Sequence, residues 1–489
     1  MLSRKSDSLA WIWQKSPVKK ARSTMSARAF NPEIQAFHQP EESPAVRLRL
    51  GEGDIETFSV RPIQSPRRFE RLLRGRPWRE VAFVATSASG DAAIAHQMAS
   101  LKAIEDAMDI ELSTQTQMLR TLMLYGAHLS QIVTQLFYAT TPQALLLSQT
   151  KPFFGPPVQL DRLIARAARI AKELQDIIGG QITYPMTAVP GGFVTLPAPY
   201  KLLRIRKRIE REMLPTLLQL SELFEPVSAQ FPRLERKREF ISLSASKAYP
   251  LYCGRITSSN HRMLSVYDYE ALAQKSLEYV RRQEKGQGAA NDTPTAERCA
   301  QKDGEAAATS ADSDVKAALL HGRHMVGPLA RINNNQHALT LLAREIADDL
   351  GLLQNGHNPF FSIPARLVEA LQCAQKACDL IDEVFIRGLR RERPHLPRRI
   401  GQTARGVGCT ESTNGLVFHD YTFDRDGRMA SARCVSPINQ NLPTISADLE
   451  QLLASLQRDG LDVEQIAFWS EVLVRSCDTS MVYERGFAR

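Results

Sequence analysis

Residues Gly406–Gly427 read GVGCTESTNGLVFHDYTFDRDG, and they set the architecture at the C-terminal end of the chain. Asp424-Arg425-Asp426-Gly427 is a turn signal, with Leu416–Tyr421 on one side and Met429–Cys434 on the other, so a β-hairpin is expected. A second hairpin pattern lies near the other end. Val46-Arg47-Leu48-Arg49-Leu50 and Phe58-Ser59-Val60 alternate with a period of two, and Gly51 and Gly53 fall between them. Helical periodicity fills the interval. Gln159–Ile178 places Leu160, Leu163, Ile164, Ala167, Ile170, Ala171, Leu174 and Ile178 on one face, and Gly179-Gly180 ends it. Similar patterns run over 93–112, 115–139, 200–224, 316–350 and 444–475. The fold class expected is mainly α with small antiparallel β elements (α+β).

A further helix is expected from Ser362, read as its N-cap, with Pro364 in the first turn. Its stripe of Leu367, Leu371, Ala374, Cys378, Ile381 and Phe385 is a core face, which makes Cys378 a packing residue. Residues 283–314 hold no Val, Ile, Leu, Met, Phe, Trp or Tyr. Such a segment buries too little to offset its ordering entropy, so it reads as a disordered insertion. The organisation expected is a basic tail over 1–36 and one domain in two parts, 37–282 and 315–489, separated by that insertion.

The chain has 489 residues, 43% hydrophobic and 24% charged, a globular composition. Seven basic residues in 1–28 face Asp7 alone, so +6 of the net charge of +9 lies in the tail. The remainder carries no basic field, which argues against nucleic-acid binding. No apolar run reaches the ~18–20 residues that cross a bilayer. Seven cysteines at irregular spacing, with no C-x-x-C, fit a reducing compartment, and a cytoplasmic location is expected. Met25 leaves residues 1–24 as a flexible or misassigned start; a transit peptide is the weaker reading.

Familiar catalytic signatures are missing. There is no phosphate-binding G-x-x-x-x-G-K-[ST], no G-x-G-x-x-G after a strand and no H-E-x-x-H. His321 and His324 are spaced i, i+3 without an acidic partner and read as core or solvated histidines rather than metal ligands. The basic, proline-broken run Arg387–Arg399 reads as an exposed loop or subunit contact.

Four blocks are more specific: Pro66–Val81 (PRRFERLLRGRPWREV), Gly179–Phe193 (GGQITYPMTAVPGGF), Val326–Asn333 (VGPLARIN) and Gly406–Gly427. In this order they resemble the large subunit of [NiFe] hydrogenases, in the cytoplasmic, multi-subunit branch that reduces nicotinamide or deazaflavin cofactors. The resemblance extends over roughly 37–485 and implies that family's helical fold. It also implies a nickel–iron centre held by two C-x-x-C pairs, since low-valent nickel beside an iron carrying cyanide and carbon monoxide wants soft thiolates. Here those four positions read Ser89, Ala92, Ser480 and Tyr483. Serine is a hard, neutral donor, alanine offers none, and a phenol with pKa about 10 is a poor substitute for a thiolate. Cys477 lies three positions from the nearest expected ligand.

Other departures agree. Asn414 stands where the family's T-E-A-P-R-G segment has arginine, and Tyr184 replaces its usual histidine before the P-x-T-A-V-P-G-G block. Family members also carry a C-terminal extension removed once nickel is in place; with Arg489 six residues past Tyr483, little is expected to be removed. The resemblance therefore implies a nickel-free chain with no catalytic residue for hydrogen activation and no cofactor of its own. Its partners would be an iron–sulfur small-subunit-like protein and flavoprotein subunits. Two alternatives stay open: a scaffold that holds the iron–cyanide unit during maturation, and a repurposed redox or quinone-type pocket. The residues that would line the vacated pocket are His96, Asp91, Tyr184, Glu411 and Asn414.

Overall fold

The computed structural model describes residues 45–50, 55–61, 66–87, 90–150, 158–181, 184–260, 262–269, 324–395, 397, 401–477 and 482–487. The tail expected over 1–36 and the insertion expected over 283–314 lie outside them.

Both hairpins form. β1 (Ala45–Leu50) pairs antiparallel with β2 (Ile55–Arg61), and β10 (Gly415–Phe423) pairs antiparallel with β9 (Ala404–Ser412) and β11 (Met429–Val435). Gly427 takes φ +72° in the Asp424–Gly427 turn, a conformation that costs glycine nothing. Not all pairing is antiparallel. β12 (Val482–Phe487) lies parallel to β1, and β8 (His324–Met325) lies parallel to β5 (Glu239–Ser244). Both added strands come from distant chain, so no tight turn dictates their direction. A four-stranded sheet in the order β7 (Met263–Leu264), β6 (Arg255–Ser258), β5, β8 results, and β3 (Ala188–Val189) pairs antiparallel with β4 (Gly192–Phe193).

Helices make up most of the rest. α1 (Pro66–Leu73) and α2 (Trp78–Ser87) lead into α3 (Ala93–Met108), α4 (Thr114–Thr150) and α5 (Val158–Gly179). The expected stripe of α5 is buried from Ile164 to Ile178, and Gly180 at φ +73° follows its last turn. The helix expected over 200–224 is α6 (Pro199–Arg208), a π-turn over Ile209–Met213, and α7 (Leu214–Ser228). Pro215 has no N–H to donate, which the wider turn ahead of it accommodates.

Two helices expected as single units are broken. Over 316–350 the described part begins with β8; Gly327 at φ +114° then opens α8 (Pro328–Asn335), and α9 (Leu341–Asp349) starts on a Thr340 cap. The pattern over 444–475 divides at Gly460 (φ +72°) into α11 (Pro437–Arg458) and α12 (Val463–Cys477). Between them in sequence order, α10 (Ser362–Arg387) has the expected core stripe, with Cys378 packed inside it. Its start differs from expectation. A 3-10 turn, Pro359–Phe361, precedes the helix, so Ser362 is already inside; Asn358 caps that turn by accepting from the Phe360 N–H at 3.2 Å.

The arrangement that positions the site is a layering around β9–β10. Val407, Cys409, Leu416 and Phe418 face the four-stranded sheet in a small core with Ile241, Leu243 and Ile256. The alternate residues face α3. This explains why β9 and β10 are buried almost continuously although their pairing is antiparallel: both faces are covered. The main core, built from the helices, lies on the α3 side.

Candidate functional site

α3 approaches β9 closely because both surfaces are small. A side chain carbon at Gly406 would stand 2.2 Å from the Ala107 nitrogen, and one at Gly408 2.0 Å from the Ala99 carbonyl. On the same α3 face, one turn before Ala99 and Ser100, sits His96, buried at 8% exposure. Across the gap, His419 of β10 is fully buried, and Cys434 of β11 is its direct cross-strand partner. His96 Nδ1 lies 2.9 Å from His419 Nε2, and Cys434 Sγ lies 3.7 Å from each of those nitrogens. His419 Nδ1 meets the Tyr421 hydroxyl at 2.6 Å, and Tyr421 donates to Ser100 Oγ at 2.9 Å. Burial pushes His96 down to about 4, and burial with the neighbouring His96 drives His419 well below the usual imidazole value. Burial, and then the Glu70 carboxylate, push the Cys434 thiol up to about 12.

A second cluster holds the loop between β9 and β10. Arg331 of α8 is fully buried and bidentate to Glu369 at 2.5 and 2.8 Å, and it donates to Glu411 Oε2 at 2.8 Å. It also donates to the Ser412 and Thr413 carbonyls at 2.8 Å. Glu411 Oε1 accepts from the Leu243 N–H, and Tyr249 donates to Glu369. Burial disfavours the guanidinium charge, but the two carboxylates outweigh it and hold Arg331 charged. Burial pushes Glu411 up to about 7, against the lowering effect of Arg331 and the Leu243 N–H.

Beside it, Arg366 of α10 binds the Ser476 and Cys477 carbonyls at 2.6 and 3.0 Å and reaches Asn414 Oδ1 at 3.3 Å. A buried cation thus ties Asn414 to the last turn of α12. The Pro190-Gly191-Gly192 turn is secured separately. Glu105 accepts from the Gly191 N–H at 2.8 Å while bidentate to Arg120, which also donates to the Val189 carbonyl at 2.9 Å. Gly191 has φ +81°, and the His395 backbone leaves no room for a side chain there.

The residues singled out in the sequence are therefore distributed unevenly. His96, Glu411 and Asn414 lie in these buried networks. Asp91 and Ala92 belong to a 3-10 turn, Gly90–Ala92, immediately before α3. Tyr184 is 39% exposed in the loop after α5, and Tyr483 lies on β12 opposite Val46. Ser89 and Ser480 fall outside the described residues, as does His321; His324 is buried on β8. The loop following Arg387 runs over the surface and docks through Glu392 on Ser113. Sequence reasoning passes over Arg331, Arg366, Glu369, His419 and Cys434 as individual functional groups.

At the positions that the hydrogenase resemblance assigns to nickel, no cysteine is present. Ala92 presents only a methyl group, and the described cysteines (253, 373, 378, 409, 434 and 477) stand at none of the four expected positions. Four thiolates are what the resemblance implies for such a centre.

The model of the nickel-dependent hydrogenase family matches residues 67–141. The chain is 22% identical to the alpha subunit of sulfhydrogenase 1 of Pyrococcus furiosus, over 91% of this chain and 95% of that one. It is also 22% identical to the vhu F420-non-reducing hydrogenase of Methanococcus voltae, in its A subunit, over 81% and 92%. Among solved structures it is similar to an NAD+-reducing [NiFe]-hydrogenase in the H2-reduced state, with TM-score 0.66, 21% identity and coverage of 88% and 93%. A [NiFeSe]-hydrogenase of Dm. baculatum is similar at TM-score 0.59, 16% identity and coverage of 88% and 94%.

Proposed function

We propose that this chain, a divergent relative of the [NiFe] hydrogenase large subunits, is a nickel-free large-subunit-like protein that does not activate hydrogen. Its role is that of a structural or regulatory subunit of a redox complex in the cytoplasm, seated on an iron–sulfur small-subunit-like partner, with flavoprotein subunits beyond it. One observation supports this above others: Ser89, Ala92, Ser480 and Tyr483 replace all four thiolates while the surrounding blocks persist in order. A pocket with one donorless position and three hard or bulky ones has no means of holding low-valent nickel. The scaffold residues meanwhile keep work to do, since Arg331 anchors the loop between β9 and β10 and Glu105 anchors the Gly191 turn. Retention of a fold after loss of its chemistry is what a subunit valued for its surfaces requires.

The test is metal analysis and infrared spectroscopy of the full chain isolated from its native host. Sub-stoichiometric nickel and no cyanide or carbon monoxide bands are expected, with an iron–sulfur protein co-purifying. Stoichiometric nickel with those bands overturns the reading; a monomer without any iron–sulfur partner overturns the subunit role.

A further inference from the structure

The geometry points to a mononuclear transition-metal site formed by His96 Nδ1, His419 Nε2 and Cys434 Sγ, suited to zinc. Among the described residues these form the group of three His, Cys or acidic side chains whose ligand atoms all lie within 4.8 Å of one another. None of the three is among the positions that the hydrogenase resemblance assigns to nickel.

The distances decide whether one ion can reach all three atoms. Tetrahedral zinc, with Zn–N of about 2.05 Å and Zn–S of about 2.3 Å, separates two nitrogens by about 3.3 Å and nitrogen from sulfur by about 3.6 Å. Here the separations are 2.9 Å for the nitrogens and 3.7 Å for both sulfur–nitrogen pairs. The imidazoles need to part by a few tenths of an ångström, and the sulfur hardly moves. The rings meet nearly edge to face, with centroids 5.1 Å apart and planes at 86°, and Phe69 also meets His419 edge-on, with centroids 5.4 Å apart. Neither histidine has to turn out of a stack.

The surroundings prepare His419 for this use. Its Nδ1–H donates to the Tyr421 oxygen, and Tyr421 donates onward to Ser100, so Nε2 keeps its lone pair directed at His96 and Cys434. A metal-bound histidine usually gives its other N–H to such an oriented acceptor. Without an ion, His96 Nδ1–H donates to that lone pair. On binding, the His96 proton moves to Nε2 by exchange with solvent, and the Cys434 thiol releases its proton to water as the metal–sulfur bond forms. One thiolate and two neutral imidazoles leave a net charge of +1 on a zinc complex, and the fourth position goes to water.

The assignment is tested by titrating the chelator-treated full chain with zinc, and with cobalt as a coloured reporter. One equivalent is expected to bind, with a thiolate-to-cobalt charge-transfer band in the near ultraviolet. C434S should abolish that band and weaken zinc at least tenfold while circular dichroism stays unchanged, because serine fits the same space. C253S, at the exposed cysteine, should leave both readouts as in wild type. Y421F keeps all three ligands but removes the oriented acceptor, and should weaken binding by about 10–100-fold. No stoichiometric uptake by the wild-type chain, or a cobalt band that survives C434S, overturns the site. Nickel with cyanide bands in native material would instead overturn the preceding reading and leave this one standing.

Discussion

His324 is buried on β8, and neither of its ring nitrogens has a hydrogen-bond partner. Burial alone pushes it down from 6.5 to about 4, as it does His96. As pH falls below about 6.5 the unfolded chain takes up these protons before the folded one, so stability present above 6.5 drains away toward pH 4. Glu411 acts in the opposite sense. Its folded value near 7 lies above the ordinary 4.5, so the folded state holds a proton that the unfolded state has released, and stability grows as pH drops from 7 to 4.5. Two histidines with shifts of similar size, joined by His419, outweigh one carboxylate. The unfolding temperature should therefore decline from pH 6.5 downward. His324→Leu, which swaps two unsatisfied polar atoms for carbon, should match or exceed wild type at pH 7 and decline less steeply in acid. A steeper acid decline in that variant would show that His324 is not buried in its neutral form. At this scale the sequence discloses His96 and Glu411 only through their place in segments that resemble the hydrogenase pattern. Cys434 is invisible there because a β-bulge between Thr422 and Phe423 shifts the hairpin register, so counting back from the turn misplaces the residue opposite His419.

Elements are more legible, and the reasons are local. The Asp424–Gly427 turn and the α5 stripe declare themselves through residue type and period. The breaks at Gly327 and Gly460 are hidden because apolar spacing continues on either side of each glycine, and periodicity alone reads through a break. The contact of α3 with β9 shows how a pattern acquires meaning only in pairs. Ala99, Ala103 and Ala107 recur every four residues, Gly406 and Gly408 every two, and the helix backbone rests on the strand where the two sets meet. No flexible side chain is available there to yield. Gly408→Ala should then cost about 1–3 kcal/mol or more through overpacking, since the new methyl meets backbone atoms of α3. Because α3 carries His96, the displacement should also weaken metal uptake. Chemical denaturation together with the cobalt titration measures both. A Gly408→Ala chain as stable as wild type would mean that the helix stands farther off than the glycines indicate.

On the scale of the whole molecule, β12, the last described strand, returns to β1, the first. Six residue pairs, from Ala45–Val482 to Leu50–Phe487, join the two strands in parallel, and β2 covers the other edge of β1. A two-stranded hairpin is marginal in water, so β1–β2 depends on this third strand for persistent pairing. The hydrogenase resemblance makes Ser480 and Tyr483 vacated ligand positions. β12 gives the segment around Tyr483 a structural duty that needs no metal: its backbone completes a sheet. Arg366 works toward the same end from within, holding the last carbonyls of α12, the helix that precedes β12 in sequence. Deleting residues 482–489 should leave the helical core folded while the β1 amides that bond to β12 lose protection in hydrogen exchange. The β10–β11 amides, in a different sheet, should exchange as before, which separates local loss from general destabilisation. Unchanged protection along β1 after the deletion would mean that the terminal strand adds nothing to the hairpin, and the stretch around Tyr483 would again need another explanation.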